Sequence, residues 1–122
     1  AIYDSDIVGQ FTDLDYATYL SRWKANGAGV DLNRNYSPGW DTINERPVPS
    51  SSHFKGNEPG SEAEAQTLMN LVNSLSNPLL AISYHSYGNL VYWQYGQAEP
   101  LWTENSNLAT HISNHTGYTL AS

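Results

Sequence analysis

Two polar clusters hold the residues of this chain best suited to chemistry, and each follows a stretch that reads as a strand. The first is Asn33 and Arg34, just after Val30-Asp31-Leu32, together with Asp31 within that stretch. A guanidinium fork donates bidentately to a carboxylate, and the neighbouring amide of Asn33 can donate a further hydrogen bond. The plainer role for Arg34 is a surface pair with one of the twelve acids. The second is His85 with Tyr87, which closes the run Leu79 to Gly88. Its apolar opening reads as a strand buried on both faces. Open α/β sheets carry their chemistry beyond the carboxyl ends of such strands. A lone histidine there is more often structural than a ligand, and a lone tyrosine more often packs with a wet tip. Two such clusters in one chain make the functional reading stronger.

A third candidate is His111 with His115. Residues four apart share a helix face, so both rings can approach one ion. Position 112 is Ile where the protease version of this spacing has its glutamate base, and solvated histidines in a last helical turn are the ordinary reading. His53 falls in a loop, where a surface role is the default. A serine nucleophile has no Gly-x-Ser-x-Gly elbow, and glycine-rich phosphate loops are missing as well. Asn35-Tyr36-Ser37 and Asn114-His115-Thr116 fit the glycosylation sequon, a triplet common by chance.

The elements that must position these clusters follow from pattern. Residues 1–12 suggest a loop or short helix, and Tyr16, Tyr19, Leu20 and Trp23 recur at helical spacing within 13–24. Asn26 to Gly29 breaks the chain. Residues 37–60 contain four prolines, which makes a long loop of the kind that is usually functional. Ser61 and Glu64 have capping-box spacing, and Ala65, Leu68, Leu71, Val72 and Leu75 form one face of a helix over 61–76. Asn77-Pro78 ends it. Leu90 to Tyr95 reads as an aromatic strand beside the 79–84 strand. Leu101, Leu108, Ala109 and Ile112 outline a last helix ending at Gly117, after which another strand begins.

At 122 residues the chain fits one small domain. Twelve acids against five bases give a net charge of −7, which argues against nucleic acid or an anionic membrane as partner. The five cations, Arg22, Lys24, Arg34, Arg46 and Lys55, therefore stand out. Without cysteine there are no disulfides or thiolate metal sites. No apolar run approaches the ~20 residues of a membrane span, and the N-terminus lacks the features of a signal peptide. With no Met at the start and a strand opening at the end, both termini read as internal, the expectation being a fragment of a longer domain.

Three stretches, Gly29 to Tyr36, Gly56 to Glu64 and Ser83 to Gly88, resemble in this order the zinc carboxypeptidases of the A and T type. The resemblance spans Arg22 to Tyr95. It implies an α/β fold, part of a mixed-sheet zinc carboxypeptidase domain with helices on both faces, of which residues 1–122 form a piece. It also implies that His85 is a zinc ligand, that Asn33 and Arg34 bind the free C-terminal carboxylate of a peptide substrate, and that Tyr87 lines the substrate subsites. Asp31 then orients a zinc-bound histidine, as carboxylates do around such ligands. The family arginine that polarises the scissile carbonyl is matched by spacing at Lys24, with Arg22 next. Two family features have no counterpart: none of the four histidines is followed three residues later by Glu, and the catalytic glutamate falls beyond Ser122. Zinc is thus expected in the complete enzyme and weakly or not at all in this piece, which alone would be inactive.

Arg22-Trp-Lys-Ala-Asn26 and Tyr92-Trp-Gln-Tyr95 look like the bacterial branch that cuts cell-wall peptides at γ-D-glutamyl–diamino acid bonds, which favours an extracellular or wall-associated location. The reading from a different class is a non-catalytic peptide- or glycan-binding module that kept the carboxylate anchor. The oligomeric state is left open.

Overall fold

The computed structural model describes residues 2–8, 13–43, 46–93 and 99–121. The chain divides into two units, one ending at Leu79 and the other beginning at Leu80.

The first unit contains α1 (Ile2–Val8), α2 (Tyr16–Ser21) and α3 (Ala63–Ser74), with a long, mostly irregular segment between α2 and α3. Asp15 starts α2 by accepting from the Ala17 and Thr18 amides, both at 3.1 Å. Tyr3 packs edge-on against Tyr16 and Tyr19, and Tyr19 against Trp23, so aromatic edges join α1 to α2. The largest fully buried side chains of the unit are polar ones, Asn35, Asp6 and Ser50. Such groups are tolerated inside only when hydrogen-bonded, and that condition shapes the whole 24–62 region.

The second unit is a β-α-β arrangement. β1 (Leu90–Tyr92) pairs in parallel with β2 (Thr119–Ala121), Leu90 opposite Thr119, and α4 (Leu101–Thr116) lies between them in sequence. Parallel neighbours need such a crossover. Gly117 ends α4 in the left-handed conformation (φ 72°), its amide bonded to the Ser113 carbonyl. Ala109 is the buried residue of α4, and Trp93 meets Trp102 edge-on at 5.4 Å. Helices with a parallel strand pair place the chain in the α/β class. No helix among the described residues is long and apolar enough to cross a membrane.

Three local expectations give way. Residues 79–84 are not a buried strand: no strand pairs with them among the described residues, and Leu79 and Tyr84 are each 90% exposed. A strand's ladder requires a neighbour about 5 Å away, and β1 takes β2 instead. Val30-Asp31-Leu32 is not a strand either. The Asp31 carboxylate captures the Asn33 amide and winds Leu32–Arg34 into a 3₁₀ turn. The capping box at Ser61 does not form, because α3 begins one residue later than its spacing suggests. Glu62 occupies the cap position, and the Ser61 hydroxyl instead accepts from Asn35 and donates to Glu62. Of the apolar face of α3 only Ala65 is buried; Leu68, Leu71, Val72 and Leu75 are exposed.

Candidate active-site residues

The Asp31 cluster is built by hydrogen bonds to a returning segment, residues 50–54. The Ser50 amide donates to the Gly29 carbonyl at 3.0 Å. The Ser51 carbonyl accepts from Lys24 at 2.9 Å and Ala25 at 3.0 Å, and the Asp31 amide donates to the Phe54 carbonyl at 2.8 Å. Gly29 sits at φ +80°, where an added Cβ would lie 2.8 Å from Ile2 Cδ1 and 3.1 Å from the Ser50 amide nitrogen. Only glycine lets the two segments approach this closely.

Asp31 is buried, and its two carboxylate oxygens divide their work. One accepts from the Asn33 amide at 3.2 Å, the other from the His53 amide at 2.9 Å. The second bond holds His53 in a left-handed conformation (φ 70°) that a histidine adopts only at a cost. A carboxylate has about four lone-pair positions, so these two bonds leave capacity to accept more. The Arg34 amide donates to the Asp31 carbonyl at 2.8 Å, which seats Asn33 and Arg34 on the 3₁₀ turn. Asn33 is exposed and Arg34 half-buried.

Asn35 anchors the far side of this turn. Its Nδ2 donates to the carbonyls of Lys55 (2.9 Å) and Glu58 (3.3 Å) and to the Ser61 hydroxyl (3.0 Å). Its Oδ1 accepts from the Glu62 amide at 3.1 Å, and its carbonyl accepts from Gly60 at 2.6 Å. Side chain and backbone of one residue thereby organise 55–62. With no exposed surface, Asn35 cannot serve as the glycosylation acceptor its triplet suggests.

A second buried centre has no counterpart in the sequence reading. Asp6 on α1 accepts from the Tyr19 hydroxyl (2.9 Å), the Ser51 amide (3.1 Å) and the Ser51 hydroxyl (2.8 Å), and Arg46 approaches it at 3.7 Å. Burial, with the hydrogen bond to Asp6, raises the Tyr19 phenol above its ordinary value. The partners are up to 45 positions apart, and no local pattern joins them. Next to this centre Arg22 and Arg46 line a cleft of about 270 Å³ with Ser51, Ser52 and Asp13. Lys24 is exposed. Lys55 is committed to structure: its ammonium caps the Trp40 and Ile43 carbonyls at 2.9 Å each and lies 3.8 Å from the centre of the Trp40 ring.

Asp31, Asn33, Arg34 and the Lys24 backbone therefore belong to one hydrogen-bonded frame, with Arg22 on the cleft beside Ser51. His85 and Tyr87 lie in the second unit. His85 is exposed, with Nε2 3.1 Å from the Ser83 hydroxyl, and Tyr87 is fully exposed. Among the described residues no three His, Cys, Asp or Glu side chains come together as a metal group. A single histidine does not make a catalytic zinc site, so the residues present do not by themselves fit zinc.

These residues fall within a recognisable family. The zinc carboxypeptidase family model matches residues 10–122, and the chain belongs to that family. Among individual relatives it is similar to human mast cell carboxypeptidase A, 32% identical over 82 residues, 66% of this chain and 20% of that protein. It is 31% identical over 101 residues to gamma-D-glutamyl-L-diamino acid endopeptidase 1 of Lysinibacillus sphaericus, 81% of this chain and 25% of that protein. Rat carboxypeptidase A1 is 37% identical over 68 residues, 56% of this chain and 16% of that protein. The chain thus spans a quarter or less of the length of these relatives. No solved structure matches it significantly.

Proposed function

We propose that the chain is part of the catalytic domain of a zinc metallopeptidase that hydrolyses peptide bonds near a free C-terminus. Membership of the zinc carboxypeptidase family over residues 10–122 is the observation that carries this reading. Within it, Asn33 and Arg34 hold the terminal carboxylate of the substrate, the guanidinium as a fork and the amide as an added donor. The 3₁₀ turn supports this role, because Asp31 and Asn35 fix its two ends and hold the anchor in place before substrate arrives. Lys24, or Arg22 at the cleft, supplies positive charge to the scissile carbonyl. A lysine there offers a point charge where the family has a fork. Tyr87 lines the subsites and His85 is offered as a zinc ligand. Asp31, with lone pairs to spare, accepts a ring N–H from a second ligating histidine elsewhere in the whole protein.

The substrate is a peptide, and we infer that a bacterial cell-wall peptide fits the relationship to an enzyme named for γ-D-glutamyl–diamino acid bonds. Arg34 separates exopeptidase from endopeptidase action, since an end-binding arginine is useful only when a carboxylate is there to bind. The test compares the full-length protein with its Arg34→Ala variant on matched peptides ending in a free acid or an amide. The expected result is a preference for the free acid that the variant loses, kcat/KM on that substrate falling about 100-fold. Equal hydrolysis of both peptides by the unaltered protein, unchanged by the substitution, contradicts the anchor.

A further inference from the structure

The last turns of α4 carry two histidines for which the peptidase reading has no use. His111 and His115 are exposed, with ring centroids 4.1 Å apart and planes inclined at 37°. His115 Nδ1 lies 2.8 Å from the His111 carbonyl oxygen. A carbonyl only accepts, so this contact places the proton on Nδ1 and leaves a lone pair on Nε2, across the ring. Histidines that bind metals commonly donate their other ring N–H to a backbone carbonyl, which fixes the tautomer and raises the basicity of the ligating nitrogen. One helix turn therefore provides both a pair of adjacent imidazoles and the supporting hydrogen bond.

We propose that His111 and His115 form a two-histidine surface site for a late first-row divalent ion, with water completing the coordination. Imidazole suits copper, nickel and zinc, and Cu2+ stands highest of the three in the ordinary affinity order. Two nitrogens bound to one ion at about 2 Å sit roughly 3 Å apart. Rings whose centroids lie 4.1 Å apart are close enough for one ion to span, with side-chain rotation aiming a nitrogen of each at it. The ion would tie position 111 to position 115 immediately before Gly117, where the chain leaves α4 for β2. Its effect is to clip the end of the crossover helix. The site shares no residue with the peptidase reading and stands apart from it.

The experiment is a Cu2+ titration of the 122-residue chain, followed through the ring signals of all four histidines by NMR and through helix content by circular dichroism. The signals of His111 and His115 are expected to broaden first, at about tenfold less Cu2+ than those of His53 and His85. Helix content should rise in step. Either single variant, His111→Asn or His115→Asn, should raise the Cu2+ needed to broaden the remaining ring about tenfold, as loss of one chelating arm predicts. Both positions are exposed, so these variants keep the fold. First broadening at His53 or His85 overturns the site, and at His85 it would point to the peptidase residues instead. Undiminished broadening of one ring after its neighbour is replaced also overturns it, because the two would then not be acting together.

Discussion

The 24–62 region and the 79–88 segment each present an ordered polar motif, yet they are built in opposite ways. In the first, Asp31 bonds to residues 53 and 54 and Asn35 bonds to residues 55–62, and Asn33 and Arg34 ride on a turn fixed at both ends. In the second, Leu79, Ile82 and Tyr84 are exposed and His85 touches Ser83, two positions away. A loop can be locked by polar contacts within its own region, whereas a buried strand exists only when other strands flank it. The turn that carries the proposed carboxylate anchor is thus fixed within its unit, and the histidine segment is not.

Substitutions sharpen this contrast, and Asn35→Ala should have the largest effect. It strands the Glu62 amide and three acceptors on 55–61. At about 1–3 kcal/mol for a buried group left unpaired, a loss of about 4 kcal/mol is expected in urea unfolding. A loss below about 1 kcal/mol would mean that 55–62 holds its shape by other means.

Gly29→Ala should follow, at about 2 kcal/mol, since the new methyl meets Ile2 and Pro49 at a positive φ. The same measurement on Ile82→Ala should show less than about 0.5 kcal/mol, as for other exposed positions. A cost of about 3 kcal/mol there would reveal that the segment is buried in solution.

The smallest effect is one of pH. Burial and Asp6 raise the Tyr19 phenol above 10.0, so the folded state holds that proton more tightly than the unfolded state. Its contribution to stability is therefore complete below pH about 10 and lost as pH rises through the folded value. Urea midpoints measured across that range should fall more steeply for the unaltered chain than for Tyr19→Phe. Parallel slopes would remove Tyr19 from the account.

What the sequence made legible was whatever is decided locally. The α3 and α4 helices follow from apolar spacing, and the end of α4 from Gly117, whose left-handed geometry needs no distant partner. The strand opening after Gly117 is found as β2. Competition hid the rest. Ser61 has the right spacing for a cap, but Asn35, 26 positions away, takes its hydroxyl. Asp31 turns the chain with its own carboxylate before a strand can form. Asp6 shows no pattern at all, because Tyr19, Ser51 and Arg46 come to it from three separate segments. Chemistry and resemblance single out Asn33 and Arg34 as the proposed anchor, while the residue that fixes their turn, Asn35, looked like one more polar neighbour.

The peptidase reading rests on His85 joining a zinc site in the whole protein. Anomalous diffraction at the zinc edge from crystals of the full-length protein addresses this directly. The account predicts a zinc ion with a His85 ring nitrogen at about 2.0–2.1 Å. A zinc ion held entirely by other residues, with His85 still turned toward Ser83, would contradict it.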